Sequence, residues 1–499
     1  MDNIIFSISI ILLVVIAYFY SWKNFKQENF KMALFIMMSA ALVLYFFVAT
    51  DFFLHHWDER YHALVAKNMM KHPLIPTLYE NPILPYDYTN WTVNHIWVHK
   101  QPLALWTIAA SFWVFGVNEI ALRLPSIIVC VIGIYLVFSI GKYFFNQKIA
   151  YFSAFLFSIN GLMVELMGGR VSTDHVDVFF TFFILLAIYL TIRFIKTEKF
   201  IYTVLVGLSI GSAVLTKWLP GLIVLPVWIL LLWDSKTLSL KGMALHLSII
   251  IAIAVAVFLP WQVYISTAFP KEALWESNYN FKHLFEAVEG QSGSVFYFLN
   301  QIRINYGEYI YLPLLWFFWM MVKDAENKKR WAAAIWFIIP FLFFSIAKTK
   351  MQAYLLFTSP VLFFITAEFY FMLKEYKNNH RLKWLFNIVL SLFILIPIRY
   401  SLERIKPFEN RDRNPQWVLD LKSLNEKNIS DGVLFNYNKP IEAMFYTDLI
   451  VYPHIPNQET IEGLTKQGFR ILINNNGAIP ENLLCDKNIK IINLEVNLN

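Results

Sequence analysis

A chain of 499 residues that is 58% hydrophobic, 18% aromatic and only 15% charged falls outside the ordinary soluble class, where about a quarter of residues are charged. Apolar runs of about 20 residues recur along it, which marks a polytopic membrane protein. The net charge of +7 is carried largely by short connections between those runs, so no nucleic-acid partner is needed to explain it.

In chain order, spans are predicted near 4–21, 32–50, 120–141, 149–166, 176–195, 200–216, 218–233, 243–262, 296–321, 331–347, 352–372 and 384–400, about twelve in all. They must be helical, because lipid offers a backbone group no partner outside its own segment. Residues 1–21 lack a basic leading segment and a small-residue cleavage site, and read as an uncleaved first span. The runs 200–216 and 218–233 are split by Lys217 and Pro220 and could be half-length helices. Alternate loops are rich in basic residues: Lys23, Lys26 and Lys31; Lys142 and Lys148; Arg193, Lys196 and Lys199; Lys236 and Lys241; Lys323 to Arg330; and Lys374 to Lys383. The positive-inside rule puts these in the cytoplasm. The long loop 51–119, the loop 264–295 and everything after 400 then lie on the other side.

From about 405 the chain changes character. Apolar β-rich runs at 432–437, 449–453, 469–473 and 489–494 alternate with helix-like segments 414–427, 439–447 and 457–467. The expected organisation is an all-α polytopic membrane portion, 1–404, whose outer loop 51–119 carries membrane-surface helices, and a small soluble α/β domain, 405–499, outside the membrane on the non-cytoplasmic side. Cys130 sits in a span and Cys485 in the tail, so no disulfide framework is expected.

Chemistry-bearing residues gather at the outer ends of spans. Asp58 and Glu59 follow the second span and lead into a helical pattern, Tyr61, Leu64, Val65, Asn68 and Met69, that reads as an amphipathic helix on the membrane surface. Asp58 could simply cap that helix, and capping would also fix its carboxylate. Lys100, before Gln101-Pro102-Leu103, could snorkel towards water or meet a phosphate as a point charge. One loop thus offers both a base and a phosphate ligand. In Gly168–Asp177, Asp174 is the better candidate for a polar cavity, while Asp177, one turn on, could serve packing. Lys217, Lys348 and Lys350 mark outer span ends as well. His55, His56, His95 and His99 have no metal-ligand spacing, so no metal site is assigned, although a divalent metal is left open.

As an ordered set these motifs resemble the GT-C glycosyltransferases that transfer aminoarabinose to lipid A or mannose to protein. The marks are Asp58-Glu59-Arg60-Tyr61, Lys100-Gln101-Pro102-Leu103, Arg123-Leu124-Pro125, Asp174, Lys217, Pro260-Trp261, Asn278-Tyr279-Asn280 with His283, and Lys348-Thr349-Lys350-Met351-Gln352-Ala353-Tyr354. The likeness covers roughly residues 30–370. The chain departs from the lipid A enzymes at His99 and Gln101, where they have Glu and Pro, in its added first span, and in having fewer late spans.

The resemblance implies an inverting transfer of a hexose or pentose from a polyprenyl phosphate to a lipid A-like glycolipid, a protein or an envelope glycan, at the outer face of the inner membrane. No cofactor is implied. Asp58 would be the general base, with Asp174 as a second catalytic position. Lys100, Lys217 and Lys350 would meet the phosphate, and Glu59, His283 and Tyr354 would bind substrate. The rival reading is a flippase for lipid-linked sugars. It would call for broken helices with charges near the midplane and often two related halves, whereas here the charges gather at one face.

Overall fold

The computed structural model describes residues 2–378, 381–426, 429, 432–477, 479–484, 486 and 488–494; Cys485 lies outside them. The chain divides into two compact units. The first comprises residues 1–49, 100–104 and 123–410, and the second residues 50–99, 105–122 and 411–499.

The first unit is helical. Among the described residues nine helices are long and apolar enough to cross a membrane, and ten if the bent pair Gln147–Ser158 and Gly161–Met167 is one span. The chain is therefore a multi-pass membrane protein, with nine or ten such helices in place of the expected twelve. The two shortfalls have local causes. The run 218–233 forms only the short apolar helix Leu219–Ser235, because the chain breaks at Trp218 with φ 69° and ψ −159°. The run 296–321 is cut into helices Tyr297–Tyr306 and Tyr311–Lys323 by Gly307 at φ 103°. A Cβ at Gly307 would come within 2.9 Å of the Tyr309 ring, so glycine is required there on two counts.

The 50° bend between Gln147–Ser158 and Gly161–Met167 is built by Asn160. Its side chain accepts from the Met163 amide at 3.1 Å and donates to the Asn305 carbonyl at 3.0 Å. The residue thereby satisfies backbone groups that the break would otherwise strand.

The second unit holds a four-stranded parallel sheet of β1 (Val433–Phe435), β2 (Ile450–Val451), β3 (Ile471–Asn474) and β4 (Ile489–Ile492), in the order β2-β1-β3-β4. Each strand overlaps a segment read as strand from sequence, β3 running one residue past 469–473. Strand periodicity divides the sheet into two faces. Val433, Phe435, Ile471 and Ile473 pack with Ile461, Leu464 and Leu483 of the tail. Leu434 and Leu472 face a larger core that includes Leu54, Tyr61, Leu64, Trp97 and Phe112 of the outer loop and Trp417, Ile441 and Phe445 of the tail.

Two expectations are corrected here. The outer loop does not belong with the membrane portion: its residues 50–99 and 105–122 share a core with the tail. The helix Asp58–Met69 is not a surface helix, since Tyr61 to Ala66 are all buried. Its partner is the helix Pro440–Tyr446, to which Arg60 is tied through Glu442 at 3.2 Å. The Lys67 ammonium donates to the carbonyls of Met444, Phe445 and Thr447 at 2.8–3.1 Å, closing the end of that helix.

Candidate active site

In the first unit the helix Asp174–Thr197 starts in strained backbone. Thr173 and Asp174 both have positive φ, 67° and 21°. Such conformations cost about 1–3 kcal/mol each and persist where the surroundings over-determine them, as at functional sites. The strain turns the start of the helix so that Asp177, completely buried, pairs with the Lys217 ammonium and accepts from the Thr173 hydroxyl. Lys217 ends the helix Ile201–Lys217, and the Trp218 distortion follows immediately. The Tyr354 ring lies 5.0 Å from the same ammonium. Lys100, half-buried, also acts on the Asp177 charge. Four widely separated sequence segments therefore contribute to one polar cluster at the ends of membrane helices.

Around it, His175 shares a hydrogen bond of 2.8 Å with Ser126, and Arg123, fully buried, donates to the Ala49 carbonyl at 2.9 Å. Asp174 is buried beside this cluster and accepts from the His175 amide. Gln101 accepts from Gln262 at 2.7 Å, joining the Lys100-Gln101-Pro102 segment to the one that follows Pro260-Trp261.

The two segments carrying His283 and Lys350 are stitched together. The Lys348, Thr349 and Lys350 amides donate to the carbonyls of Leu284, His283 and Gln291 at 3.0–3.1 Å. The His283 ring is engaged with the Tyr279 carbonyl at 2.9 Å. The Lys350 ammonium donates to the Phe344, Ser345 and Ala347 carbonyls, where the helix Lys328–Ile346 ends. Burial, with the Lys348 charge second, pulls it below the ordinary lysine range. All three donors of an ammonium are thus spent on one helix end. Lys350→Met is expected to lower the thermal midpoint by the equivalent of about 1–3 kcal/mol, the cost of the stranded carbonyls. An unchanged midpoint would show that the helix end does not depend on the ammonium.

In the second unit Asp58 is the first residue of the helix Asp58–Met69, with Trp57 rather than Asp58 in the capping position. Glu59 is fully buried and accepts from the His55 amide at 2.8 Å, closing the turn that presents Asp58. Arg60 bridges Glu442 and the Tyr61 hydroxyl, and burial pushes the Tyr61 phenol up. The turn is anchored by Asp51, wholly buried between Arg413 at 3.1 Å and Arg411 at 3.3 Å. Removing one member of a buried pair strands the other charge, at about 3–5 kcal/mol. Asp51→Asn is therefore expected to lower the unfolding midpoint and expose the tail to protease; an unchanged protease pattern would show that the clamp is dispensable.

Asp51 and Asp177 are the residues that sequence reasoning missed or ranked second. The chemical signal for Asp177 was present, but one helical turn separates it from Asp174 and only the fold selects between them. His95 and His99 are occupied separately, by the Tyr79 carbonyl at 2.6 Å and by stacking on Trp91 at 4.4 Å. Among the described residues no group of three or more metal-ligating side chains occurs.

The family of dolichyl-phosphate-mannose-protein mannosyltransferases matches residues 99–264. An undecaprenyl phosphate-alpha-4-amino-4-deoxy-L-arabinose arabinosyl transferase of Pseudomonas fluorescens is 25% identical over 291 residues, 54% of this chain and 49% of that one. The match thus spans about half the length of that relative. The structure of ArnT from Cupriavidus metallidurans bound to undecaprenyl phosphate superposes with a TM-score of 0.60 at 16% identity, covering 86% of this chain and 87% of the other. The archaeal oligosaccharyltransferase AglB from Archaeoglobus fulgidus gives 0.54 at 14% identity, over 84% and 64%. The chain is thus similar in sequence to glycosyltransferases over part of its length, and it shares the fold of ArnT and AglB.

Proposed function

We propose that the chain is an inverting glycosyltransferase that takes a sugar from a polyprenyl-phosphate donor at the outer face of the inner membrane. The observation that carries this reading is the buried cluster of Lys217, Asp177 and Tyr354, with Lys100 acting on the same carboxylate. It supplies fixed cations at span ends, in a fold shared with a protein crystallised with undecaprenyl phosphate. A lipid phosphate needs such cations and needs no nucleotide pocket.

In the proposed step the acceptor oxygen attacks the anomeric carbon as the bond from that carbon to the phosphate oxygen breaks. The bonding pair leaves on the phosphate, turning a diester into a monoester, and the acceptor proton passes to Asp58. Lys100 and Lys217 are assigned to the developing phosphate charge, a contribution of about 2–4 kcal/mol per preorganised partner. Asp177 holds Lys217 in place, and Asp174 shapes the same helix start. Glu59 supports Asp58 through the turn, and Tyr354 supports Lys217. His283 and Lys350 are assigned to holding the outer loops that border the site.

The acceptor is a hydroxyl of a glycolipid such as lipid A, of a protein or of an envelope glycan, and the sugar is a hexose or a pentose. The test is to incubate membranes bearing the chain with labelled polyprenyl-phosphate sugar. Label should leave the carrier lipid for an acceptor. Label that crosses the bilayer while still on its carrier would replace transfer with transport.

A further inference from the structure

An apolar groove runs along the first membrane helix of the first unit. Ile11, Val14, Tyr18 and Trp22 form one wall, and Tyr151 and Ile398 lie on the others. Their spacing on the first helix, Ile11 to Trp22, is a single stripe roughly 17 Å long at 1.5 Å per residue. That length is about half of a 30 Å hydrocarbon core, room for much of one acyl chain.

The groove ends in positive charge. One turn beyond Trp22, the Lys26 ammonium lies 5.9 Å from the Trp22 ring. Lys148 stands three residues before Tyr151. Lys374 lies 5.6 Å from the Phe371 ring, which is 6.2 Å from Phe152 of the groove wall. Lys26, Lys148 and Lys377 all act on the charge of Lys374. The ion pair of Lys148 with Glu28, at 3.6 Å, offsets only part of this. Trp22 and Tyr151 sit where apolar wall gives way to charge, the position such rings take at a membrane interface.

We propose that this groove holds one acyl chain of an anionic phospholipid whose phosphate is met by Lys26, Lys148 and Lys374. The two halves of the site select for an amphiphile of that sort. A free phosphate would make no use of an apolar channel, and a zwitterionic lipid would gain little from several ammonium groups. Basic clusters between membrane helices bind acidic headgroups for this reason, each lysine near an anionic surface contributing about 1 kcal/mol. The site is on the same side as the basic connections, away from the Lys217 cluster at the opposite helix ends, and it does not depend on the reading of the reaction.

The test reconstitutes the full chain in nanodiscs of phosphatidylcholine with about one fifth phosphatidylglycerol, and counts retained lipid by native mass spectrometry. Phosphatidylglycerol should be retained over phosphatidylcholine. The triple variant Lys26→Ala, Lys148→Ala, Lys374→Ala should lose that retention about tenfold, with an unchanged thermal midpoint in pure phosphatidylcholine. Val15→Trp, which fills the groove and leaves the lysines intact, should lose it as well. Equal retention of both lipids, retention in the triple variant, or retention in Val15→Trp would each overturn the proposal. So would a second copy of the chain or a polyprenyl phosphate displacing phosphatidylglycerol from the groove.

Discussion

Asp58→Asn is expected to reduce sugar transfer by about 10²–10⁴-fold, the contribution of a well-placed general base. The variant keeps the size and shape of the side chain and removes its charge and its ability to take a proton. Asp58 opens the helix Asp58–Met69, and the turn before it is held by Glu59 and by the clamp of Asp51 with Arg413 and Arg411. The loss of a negative charge at a helix start removes about 0.3–1 kcal/mol of stability. Expression and the thermal midpoint should therefore be nearly unchanged while kcat falls. Donor binding, measured by retention of labelled polyprenyl phosphate, should persist, because the phosphate is assigned to Lys100 and Lys217. Asp58→Glu restores a carboxylate displaced by one methylene and should fall between wild type and Asp58→Asn. Undiminished turnover in Asp58→Asn would remove Asp58 from the reaction.

Much of this architecture was legible in the sequence, because a run of about 20 apolar residues has few alternatives to a membrane helix. What escaped were features decided by distant partners. The break at Gly307 interrupts a stretch whose hydropathy is continuous, and backbone geometry is invisible to a hydropathy count, whereas the break at Trp218 falls where Lys217 and Pro220 already divide two runs. The helix Asp58–Met69 has the stripe of a surface helix, yet it is buried by Ile441 and Phe445, nearly four hundred residues later. Lys350 has the sequence context of a ligand-binding cation, and in the fold its three donors close a helix end five residues before it. The site was legible as a set of charges at span ends. Which carboxylate meets which cation was not, since Asp174 and Asp177 differ by one turn and only the strained start of their helix aims Asp177 at Lys217.

That pair is the place to separate structure from chemistry. Lys217→Met should destabilise the membrane portion by about 3–5 kcal/mol, because Asp177 remains buried without its countercharge. The double variant Lys217→Met, Asp177→Leu replaces both charges with apolar side chains and should recover most of that stability, since a buried pair is often no better than a well-packed apolar one. Activity should behave differently. If Lys217 meets the phosphate, kcat/KM stays about 30- to 1000-fold down in the double variant, matching the 2–4 kcal/mol assigned to a preorganised partner. If the pair only holds two helices together, turnover returns with the thermal midpoint. Lys217→Arg keeps the charge while changing its shape, and should preserve part of the activity only in the first case, because the guanidinium still faces the phosphate but no longer sits as a point charge over Tyr354. A double variant that is both stable and fully active would assign Asp177 and Lys217 to packing, and would leave Lys100 as the cation on which phosphate recognition depends.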